Sequence, residues 1–182
     1  MAAGATVYRV LVELSDTDRG VYETLTLRLA RHPSESGRYL ASRTLAYCLS
    51  YEEGIEFGKG GVSSADDPPV LVRDASGAMT RWIDVGSPSA ERIHRASKLT
   101  KRVDIYTHAD LVALRREADA GRVYAADTID VWTLPATLLD ELEAVLASGS
   151  IGVVRTGGAL YLSAGERTLE GAVGHGKLGR TR

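Results

Sequence analysis

The sequence predicts an α/β fold in which a mixed central β-sheet is flanked by helices. Three observations favour this class: two alternating segments at the N-terminus, a middle region in which strand and helix patterns take turns, and a hairpin pattern near the C-terminus. Strands separated by helices indicate parallel pairing, whereas hairpins add antiparallel neighbours. The 182 residues suffice for a core of ordinary size, so residues 1–182 are predicted to form a single domain.

The N-terminal region predicts two paired strands followed by a helix. Apolar residues recur at every second position in TVYRVLVEL (6–14) and in ETLTLRL (23–29), as in strands with one buried face. The polar turn SDTDRG between them favours an antiparallel pair. The alternation stops at Pro33, which suits a first helical turn, and leucines at near-helical spacing predict a helix from about Pro33 to Ser50.

The segment GKGGVSSADDPP (58–69) is predicted to be a loop, because its glycines permit unusual dihedrals and its prolines cannot continue a β-ladder. It delivers Asp66 and Asp67 to the strand pattern that follows. That strand, VLVRD, and the next one, MTRWIDVG, are predicted to form a hairpin in which Gly77 supplies a positive φ. Asp67 and Asp84 are therefore expected to come from neighbouring strands.

The remaining elements alternate between helix and strand. Ser87 stands where an N-cap belongs and begins a helix that is predicted to run to about Leu99. Strand, helix and strand patterns follow in RVDIYTH, ADLVALRREA and TIDVWTL, and Pro135 begins an amphipathic helix. The chain is predicted to end in a hairpin, IGVVRTGGALYLS, and in a flexible, Gly-rich basic tail from about residue 171.

Composition excludes several classes of protein. Hydrophobic residues make up 44% of the chain and charged residues 25%, and no apolar run approaches the roughly 20 residues of a membrane span. No secretory signal is visible and the single cysteine, Cys48, cannot form an internal disulfide, so a cytoplasmic location is expected. The net charge of -2 argues against indiscriminate coating of nucleic acid but permits a local basic patch.

Two features of the stretch TRWIDVGSPSAERIHRASKLTKR (80–102) have alternative interpretations. Asp is disfavoured inside strands, so Asp84 is either a metal ligand or a residue on a solvated face of its strand. The helix that follows carries a run of basic side chains, and helical geometry places His94, Arg95 and Lys98 on one face. This face is either a phosphate-binding surface or an ordinary solvated one.

Other catalytic templates find no support. The four histidines show no paired metal-ligand spacing, and one cysteine excludes a structural zinc site of the usual kind. Neither a G-x-S-x-G nucleophile elbow nor a G-x-x-x-x-G-K-[ST] phosphate loop occurs. The letters GHGKLG (174–179) match G-x-G-x-x-G, but no helix or second strand is predicted to follow them, so they are assigned to the tail.

The motifs LTLRLARHPSES, RTLAY, DDPP, WIDVGSP and RIHRAS follow one another in a specific order and spacing. On these motifs the chain closely resembles the YaeQ family of small bacterial proteins from about Thr6 to Tyr106, and more weakly through DVWTLP to the final hairpin. The resemblance implies a variant of the restriction-endonuclease-like, or PD-(D/E)XK nuclease, fold. In that superfamily a mixed sheet carries two acids on adjacent strands, a nearby lysine, and often a glutamate from the first helix.

The resemblance also implies a set of site residues. Asp67 resembles the first acid, although the order here is Asp-Pro, and Asp84 resembles the second. Together they would hold Mg²⁺ or Mn²⁺, with Glu35 as the candidate helical glutamate. The alternative for this helix is structural: Arg43 only pairs with an acid, and Ser34 only caps the helix.

The chain departs from the nuclease motif two residues after Asp84, where Gly86 stands in place of the lysine. Arg95, helped by Lys98, is the candidate replacement from the following helix, and both would bind phosphate oxygens. An arginine holds phosphate with two N–H groups but is a poor general base, because its pKa exceeds about 12.

Two functions follow from these expectations. The first is a metal-dependent phosphodiesterase acting on DNA or RNA, with Glu35, Asp67, Asp84 and Arg95 as catalytic residues. The second is a catalytically silent nuclease-like domain that binds nucleic acid or protein, and Gly86 is the residue that favours it. Nucleic acid is the expected partner, no membrane partner is expected, and the sequence names no protein partner.

Overall fold

Within residues 5–59 and 67–179, which the computed structural model describes, the strands form two separate mixed sheets. The chain divides accordingly into two compact units. Unit 1 consists of Met1–Leu49 and Leu134–Val173, and unit 2 consists of Ser50–Thr133 and Gly174–Arg182. The mixed α/β class is confirmed, but the strands are shared between two sheets. Alternation of apolar residues marks a strand without saying which other strands it pairs with.

The helices and strands are short and follow one another closely along the chain. Their order is β1 (Thr6–Asp16), β2 (Val21–Arg31), α1 (Gly37–Leu49), β3 (Ile55–Phe57), β4 (Val70–Arg73), β5 (Met79–Val85), α2 (Ala90–Leu99), β6 (Arg102–Thr107), α3 (Leu111–Ala120), β7 (Asp130–Thr133), α4 (Ala136–Leu146), β8 (Ser150–Thr156), β9 (Ala159–Ala164), β10 (Arg167–Ala172) and β11 (Gly174–Lys177). Among the described residues, no helix is long and apolar enough to cross a membrane.

Unit 1 contains the five-stranded sheet, in the order β10-β9-β8-β1-β2. β1 and β2 pair in antiparallel register along their whole length, so the predicted first pair of strands is confirmed. Their alternate residues are buried, as Val10, Val12 and Leu27 illustrate. α1 and α4 contact each other, and α4 also contacts β8 and β10. The buried positions of α4 are Leu138, Leu139, Leu142, Val145 and Leu146.

Unit 2 contains the six-stranded sheet, in the order β11-β7-β6-β5-β4-β3. β5, β6 and β7 run parallel, and the hairpin between β4 and β5 turns at Gly77, whose φ is 85°, as predicted. Ile93 of α2 and Leu114 of α3 join Trp82 and Val131 of the sheet in one core cluster. The two helices therefore cover one face of the sheet, and β5 lies in its interior with neighbours on both sides.

The first helix begins later than predicted, at Gly37 instead of Pro33. Ser36 precedes it, with its hydroxyl accepting the backbone N–H of Tyr39 and its carbonyl accepting that of Leu40, both at 3.1 Å. Sequence rules place Pro in a first helical turn, but the same residue also suits the turn that leads into the helix.

The second helix also begins two positions later than predicted, because Ser89 and not Ser87 is its N-cap. The hydroxyl of Ser89 accepts the backbone N–H of Arg92 at 3.3 Å. Both serines have the chemistry of an N-cap, so the sequence does not choose between them. The helix ends at Leu99, as predicted. The later start places Arg92 in the first turn of the helix.

The prediction of a flexible tail from about residue 171 is not met by the described part of the C-terminus. β10 continues to Ala172, and β11 pairs with β7 in antiparallel register. Leu178 is fully buried, and Arg115 donates two hydrogen bonds to the carbonyl of Lys177 at 2.7 and 3.0 Å. A Cβ at Gly174 would lie 2.1 Å from the hydroxyl oxygen of Thr133. Glycine at this position therefore allows β11 to pack closely against β7, whereas the Gly-rich sequence predicted a flexible backbone.

Candidate functional site

Asp84 lies near the end of β5 and is almost completely buried, with 2% of its surface exposed. The two-residue period of a strand puts it on the same face as Trp82, which is the face covered by α2 and α3. The alternative of a solvated aspartate is therefore wrong. A buried carboxylate needs partners, since an isolated buried charge is very costly.

Arg92 and Trp82 provide these partners. The Nε of Arg92 donates to both carboxylate oxygens of Asp84, at 2.9 and 3.1 Å, and the indole Nε1 of Trp82 donates to one of them at 2.8 Å. The guanidinium carbon of Arg92 also lies 5.3 Å from the centre of the Trp82 ring. A second nitrogen of Arg92 donates to the backbone carbonyl of Asp67 at 2.9 Å. One guanidinium thus joins the two segments that were predicted to carry the acids.

The protonation of Asp84 reflects a balance between burial and these contacts. Burial raises the pKa of Asp84 above its ordinary value, because the charged form loses its hydration. The charge of Arg92 and the N–H groups of Trp82 and Arg92 lower that pKa and oppose the effect of burial. Burial has the larger effect, so the pKa of Asp84 is raised although Arg92 and Trp82 oppose the rise.

The predicted metal ligands do not fit a preformed metal site. Mg²⁺ and Mn²⁺ take oxygen ligands, and here both oxygens of Asp84 already accept hydrogen bonds from the protein. Asp67 is an exposed residue just before β4, and Asp66 lies outside the described residues. Within residues 5–59 and 67–179, no group of three or more His, Cys, Asp or Glu side chains could hold a metal ion.

Gly86 directly follows β5 and has a backbone conformation that favours glycine. Its φ is 80°, and its N–H donates to the carbonyl of Tyr106 at 2.9 Å. No atom beyond its chain neighbours lies within 4 Å of a Cβ built at this position, so space is not the constraint. The backbone conformation itself disfavours the lysine of the nuclease motif, because left-handed φ costs other residues roughly 1–2 kcal/mol.

The sequence prediction placed Arg95, helped by Lys98, beside the acids, and the structure places Arg92 there instead. α2 buries Ile93 and Ala96, so its inner face passes close to Arg92, whereas Arg95 and Lys98 are exposed. The difference is one turn of the helix. The motif RIHRAS contains both arginines, and neither its letters nor their spacing indicates which one faces the sheet.

Glu35 lies in unit 1, in the turn before α1, and is 2% exposed. One of its oxygens lies 2.9 Å from a guanidinium nitrogen of Arg43, and the other accepts the backbone N–H of His32 at 3.2 Å. Arg43 thus pairs with this acid, as the structural alternative for the helix has it. The cap of the helix is provided by Ser36 and not by Ser34.

A second buried acid, which sequence reasoning did not single out, lies on the other face of the six-stranded sheet. Asp104 of β6 accepts two hydrogen bonds from Arg81, at 2.7 and 2.9 Å, and one from the Nε1 of Trp132 at 3.0 Å. A third nitrogen of Arg81 donates to Glu52 at 2.7 Å. The signal was available, because Asp104 stands between Val103 and Ile105 as Asp84 stands between apolar neighbours.

Known proteins share both the sequence and the fold of this chain. A family model described as YaeQ protein matches residues 1–173. The uncharacterized YaeQ proteins of Salmonella typhi and Escherichia coli K12 are each 28% identical, over 93% of this chain and 94% of theirs. The crystal structure of YaeQ from Xanthomonas axonopodis pv. citri matches with a TM-score of 0.81 at 29% identity, over 93% of this chain and 96% of that one. The structure of YaeQ from Pseudomonas syringae matches with a TM-score of 0.80 at 27% identity, over 96% of both chains. The chain belongs to the YaeQ family.

Proposed function

We propose that this chain is a nuclease-like domain that binds nucleic acid without cutting it. The observation that carries the proposal is the engagement of Asp84, whose two oxygens accept hydrogen bonds from Arg92 and Trp82. In a two-acid nuclease site, such oxygens would face a divalent cation. A guanidinium of the protein supplies the positive charge at this position.

The restriction-endonuclease-like fold is part of the proposal. It is supported by the family motifs and by the order of elements in unit 2, where the β4–β5 hairpin leads into α2 and the parallel strand β6. Asp84 lies on β5, and the backbone of Asp67, just before β4, is linked to it through Arg92. This link between the two segments supports the arrangement of two acids that the resemblance implies.

The conformation of Gly86 supports the silent form of the site. A lysine at this position would have to adopt a left-handed φ, so a Gly86→Lys substitution is not a simple restoration of the motif. An active nuclease of this type would also have to exchange the guanidinium of Arg92 for a metal ion at Asp84, which gives up hydrogen bonds that the protein already makes.

The exposed side of α2 supports binding of a polyanion. The helix carries Arg92, Arg95 and Lys98 against a single acid, Glu91, and residues 92–102 contain no acid at all. Cations on an exposed helix attract phosphate backbones irrespective of base sequence. Arg95 and Lys98 are exposed and are the phosphate-binding candidates of this helix, whereas Arg92 contacts Asp84.

The test is a combined cleavage and binding assay on the purified full chain. Labelled single- and double-stranded DNA and RNA are incubated with and without Mg²⁺ or Mn²⁺, and the dissociation constants are measured at several salt concentrations. The expected result is salt-dependent binding without cleavage, unchanged by either metal. Arg95→Ala should weaken binding and reduce the slope of log affinity against log salt by about one unit, since it removes one phosphate contact.

The matched controls are Arg28→Ala, which removes an exposed cation from unit 1, and Asp84→Asn. Cleavage that requires a metal and is lost in Asp84→Asn would overturn the proposal in favour of the metal-dependent phosphodiesterase. Binding to none of the four nucleic acids would overturn it as well. Cleavage that persists in Asp84→Asn would identify a contaminating nuclease, and the binding curves would then decide.

A further inference from the structure

We infer that the exposed surface formed by His94, Arg95, Lys98 and Tyr124 is a binding site for single-stranded nucleic acid, with Tyr124 as the stacking platform. We refer to these four residues as the Tyr124 surface. The inference rests on the proposed function and names its substrate class. It starts from a half-exposed aromatic side chain whose ring is in contact with the ammonium of Lys98.

Tyr124 lies in the turn after α3 and is 51% exposed. The turn is fixed on both sides of it. Val123 packs against the core cluster and donates its N–H to the carbonyl of Ala118 at 3.1 Å, and the N–H of Tyr124 donates to Nδ1 of His94 at 3.3 Å. The ring therefore projects from an ordered segment, which limits the loss of conformational entropy when a ligand stacks on it.

The backbone on either side of Tyr124 is strained. Arg122 and Ala125 both have a φ of 49°, in the left-handed region that non-glycine residues rarely adopt. Each such residue costs conformational free energy, and strain of this kind concentrates at functional sites. An exposed tyrosine that only sheltered its neighbours would not need a turn of this cost.

Two side chains of α2 lie against Tyr124. The Nζ of Lys98 is 3.6 Å from the centre of the Tyr124 ring, and Nδ1 of His94 accepts the backbone N–H of the same residue. Arg95 is exposed on the same side of the helix, as its spacing from Lys98 requires. The Tyr124 surface thus combines an aromatic ring with the positive charges of Lys98 and Arg95.

This combination fits an unpaired nucleotide better than a duplex. An unpaired base gains free energy by stacking on an aromatic ring, whereas the bases of a duplex already stack on each other. The ammonium of Lys98 covers one face of the ring, so the base would stack on the other face, and Lys98 and Arg95 would attract the phosphates of the bound strand. An acidic protein would use the cations but would gain little from the ring, so the contribution of Tyr124 separates the two partners.

The experiment compares a labelled 20-residue oligothymidine with a duplex of the same length, using the full chain and single variants. Tyr124→Ala should weaken binding to the single strand about 10-fold, the equivalent of roughly 1.4 kcal/mol of stacking, with an unchanged salt slope. Tyr124→Phe should retain most of the affinity, because it keeps the ring. Lys98→Ala should weaken binding and also lower the salt slope, by about 0.7 for a single strand.

Tyr22→Ala is the matched control, since Tyr22 is 64% exposed and lies in unit 1. All variants should retain the unfolding midpoint of the parent within the small range of surface substitutions. If the chain binds nucleic acid but Tyr124→Ala binds the oligothymidine as tightly as the parent, the inference is overturned and the proposed function stands. An equal loss on duplex and single strand would also overturn it. If neither form is bound at all, the inference is overturned, and the proposed function is then decided by the RNA arms of its own test.

Discussion

The helix-covered face of the six-stranded sheet and its opposite face each bury an acid against an arginine, but the two arginines are used differently. Arg92 divides its nitrogens between the carboxylate of Asp84 and a backbone carbonyl. Arg81 directs nitrogens to Asp104 through two parallel hydrogen bonds and to Glu52 through a third. The side chain of Arg92 is 20% exposed and that of Arg81 is 10% exposed.

The difference shows which contacts make a buried ion pair a fixed part of the structure. The fork-to-fork pairing of Arg81 with Asp104 specifies both distance and orientation, and Trp132 donates to the same carboxylate. Asp84 accepts two hydrogen bonds from Nε of Arg92 and one from Trp82, and Arg92 itself is held by a helix turn and the chain before β4. We therefore expect the cluster around Asp104 to tolerate the loss of its arginine less well than the cluster around Asp84.

The largest expected effect is that of Arg81→Ala. This substitution leaves Asp104 buried without its cation and should lower the free energy of unfolding by about 3–5 kcal/mol at neutral pH. Urea unfolding followed by circular dichroism measures the change. The matched control is Arg73→Ala. The side chains of Arg73 and its partner Glu56 are both 44% exposed, so this substitution should lower the free energy of unfolding by less than about 1 kcal/mol. Equal costs for the two variants would remove the distinction between a fixed and an ordinary ion pair.

Arg92→Ala should lower the free energy of unfolding by a smaller amount, about 2 kcal/mol, which is typical of hydrogen bonds to a charged group. Part of the cost is avoided because burial already raises the pKa of Asp84, so protonation can neutralise the carboxyl when its cation is absent. Arg92→Lys restores the charge without the planar donor group and should recover only part of the loss. The same urea experiment decides, and a loss as large as that of Arg81→Ala would show that both faces are equally fixed.

The smallest expected effect concerns the pH dependence of stability, to which Asp84 and Glu52 should contribute with opposite signs. The pKa of folded Asp84 is raised, so its contribution to stability is greatest near and below the unfolded value of about 3.9 and declines as pH rises through the folded pKa. For Glu52, burial raises the pKa, but hydrogen bonds from Arg102 and Arg81 outweigh burial and lower it. The contribution of Glu52 is therefore present above about pH 4.3 and is lost on acidification.

Urea unfolding between pH 3 and 7 tests this difference with Asp84→Asn and Glu52→Gln. The stability of the parent relative to Asp84→Asn should fall with rising pH, and its stability relative to Glu52→Gln should rise. Slopes of the same sign for the two variants would contradict the assignment of opposite protonation behaviour to the two faces.

Much of the secondary structure could be predicted, because it depends on local patterns. Period-two alternation identified β1 and β2, and the turn at Gly77 has the positive φ that its residue type indicates. The candidate acid Asp84 was also identified by a local anomaly, an aspartate inside an apolar strand. Asp104 presents the same anomaly, but it lies outside the family motifs.

The partners of these acids could not be predicted. Arg92 and Arg95 are three positions apart on one helix, and only the packing of Ile93 and Ala96 against the sheet turns Arg92 inward and leaves Arg95 in solvent. The glycines near the C-terminus predicted a flexible tail. In the structure, the absence of a side chain at Gly174 lets β11 lie close to β7.

The sequence by itself determined the α/β class, the order of strands and helices, the family, and the presence of an aspartate, Asp84, inside an apolar strand. Tertiary structure alone decided that two sheets form, that Arg92 meets Asp84, and that Tyr124 meets Lys98. The physical reason is the range of the forces involved. Backbone propensity and hydrophobic periodicity act between near neighbours in the chain, whereas ion pairs and ring contacts depend on which faces are packed together.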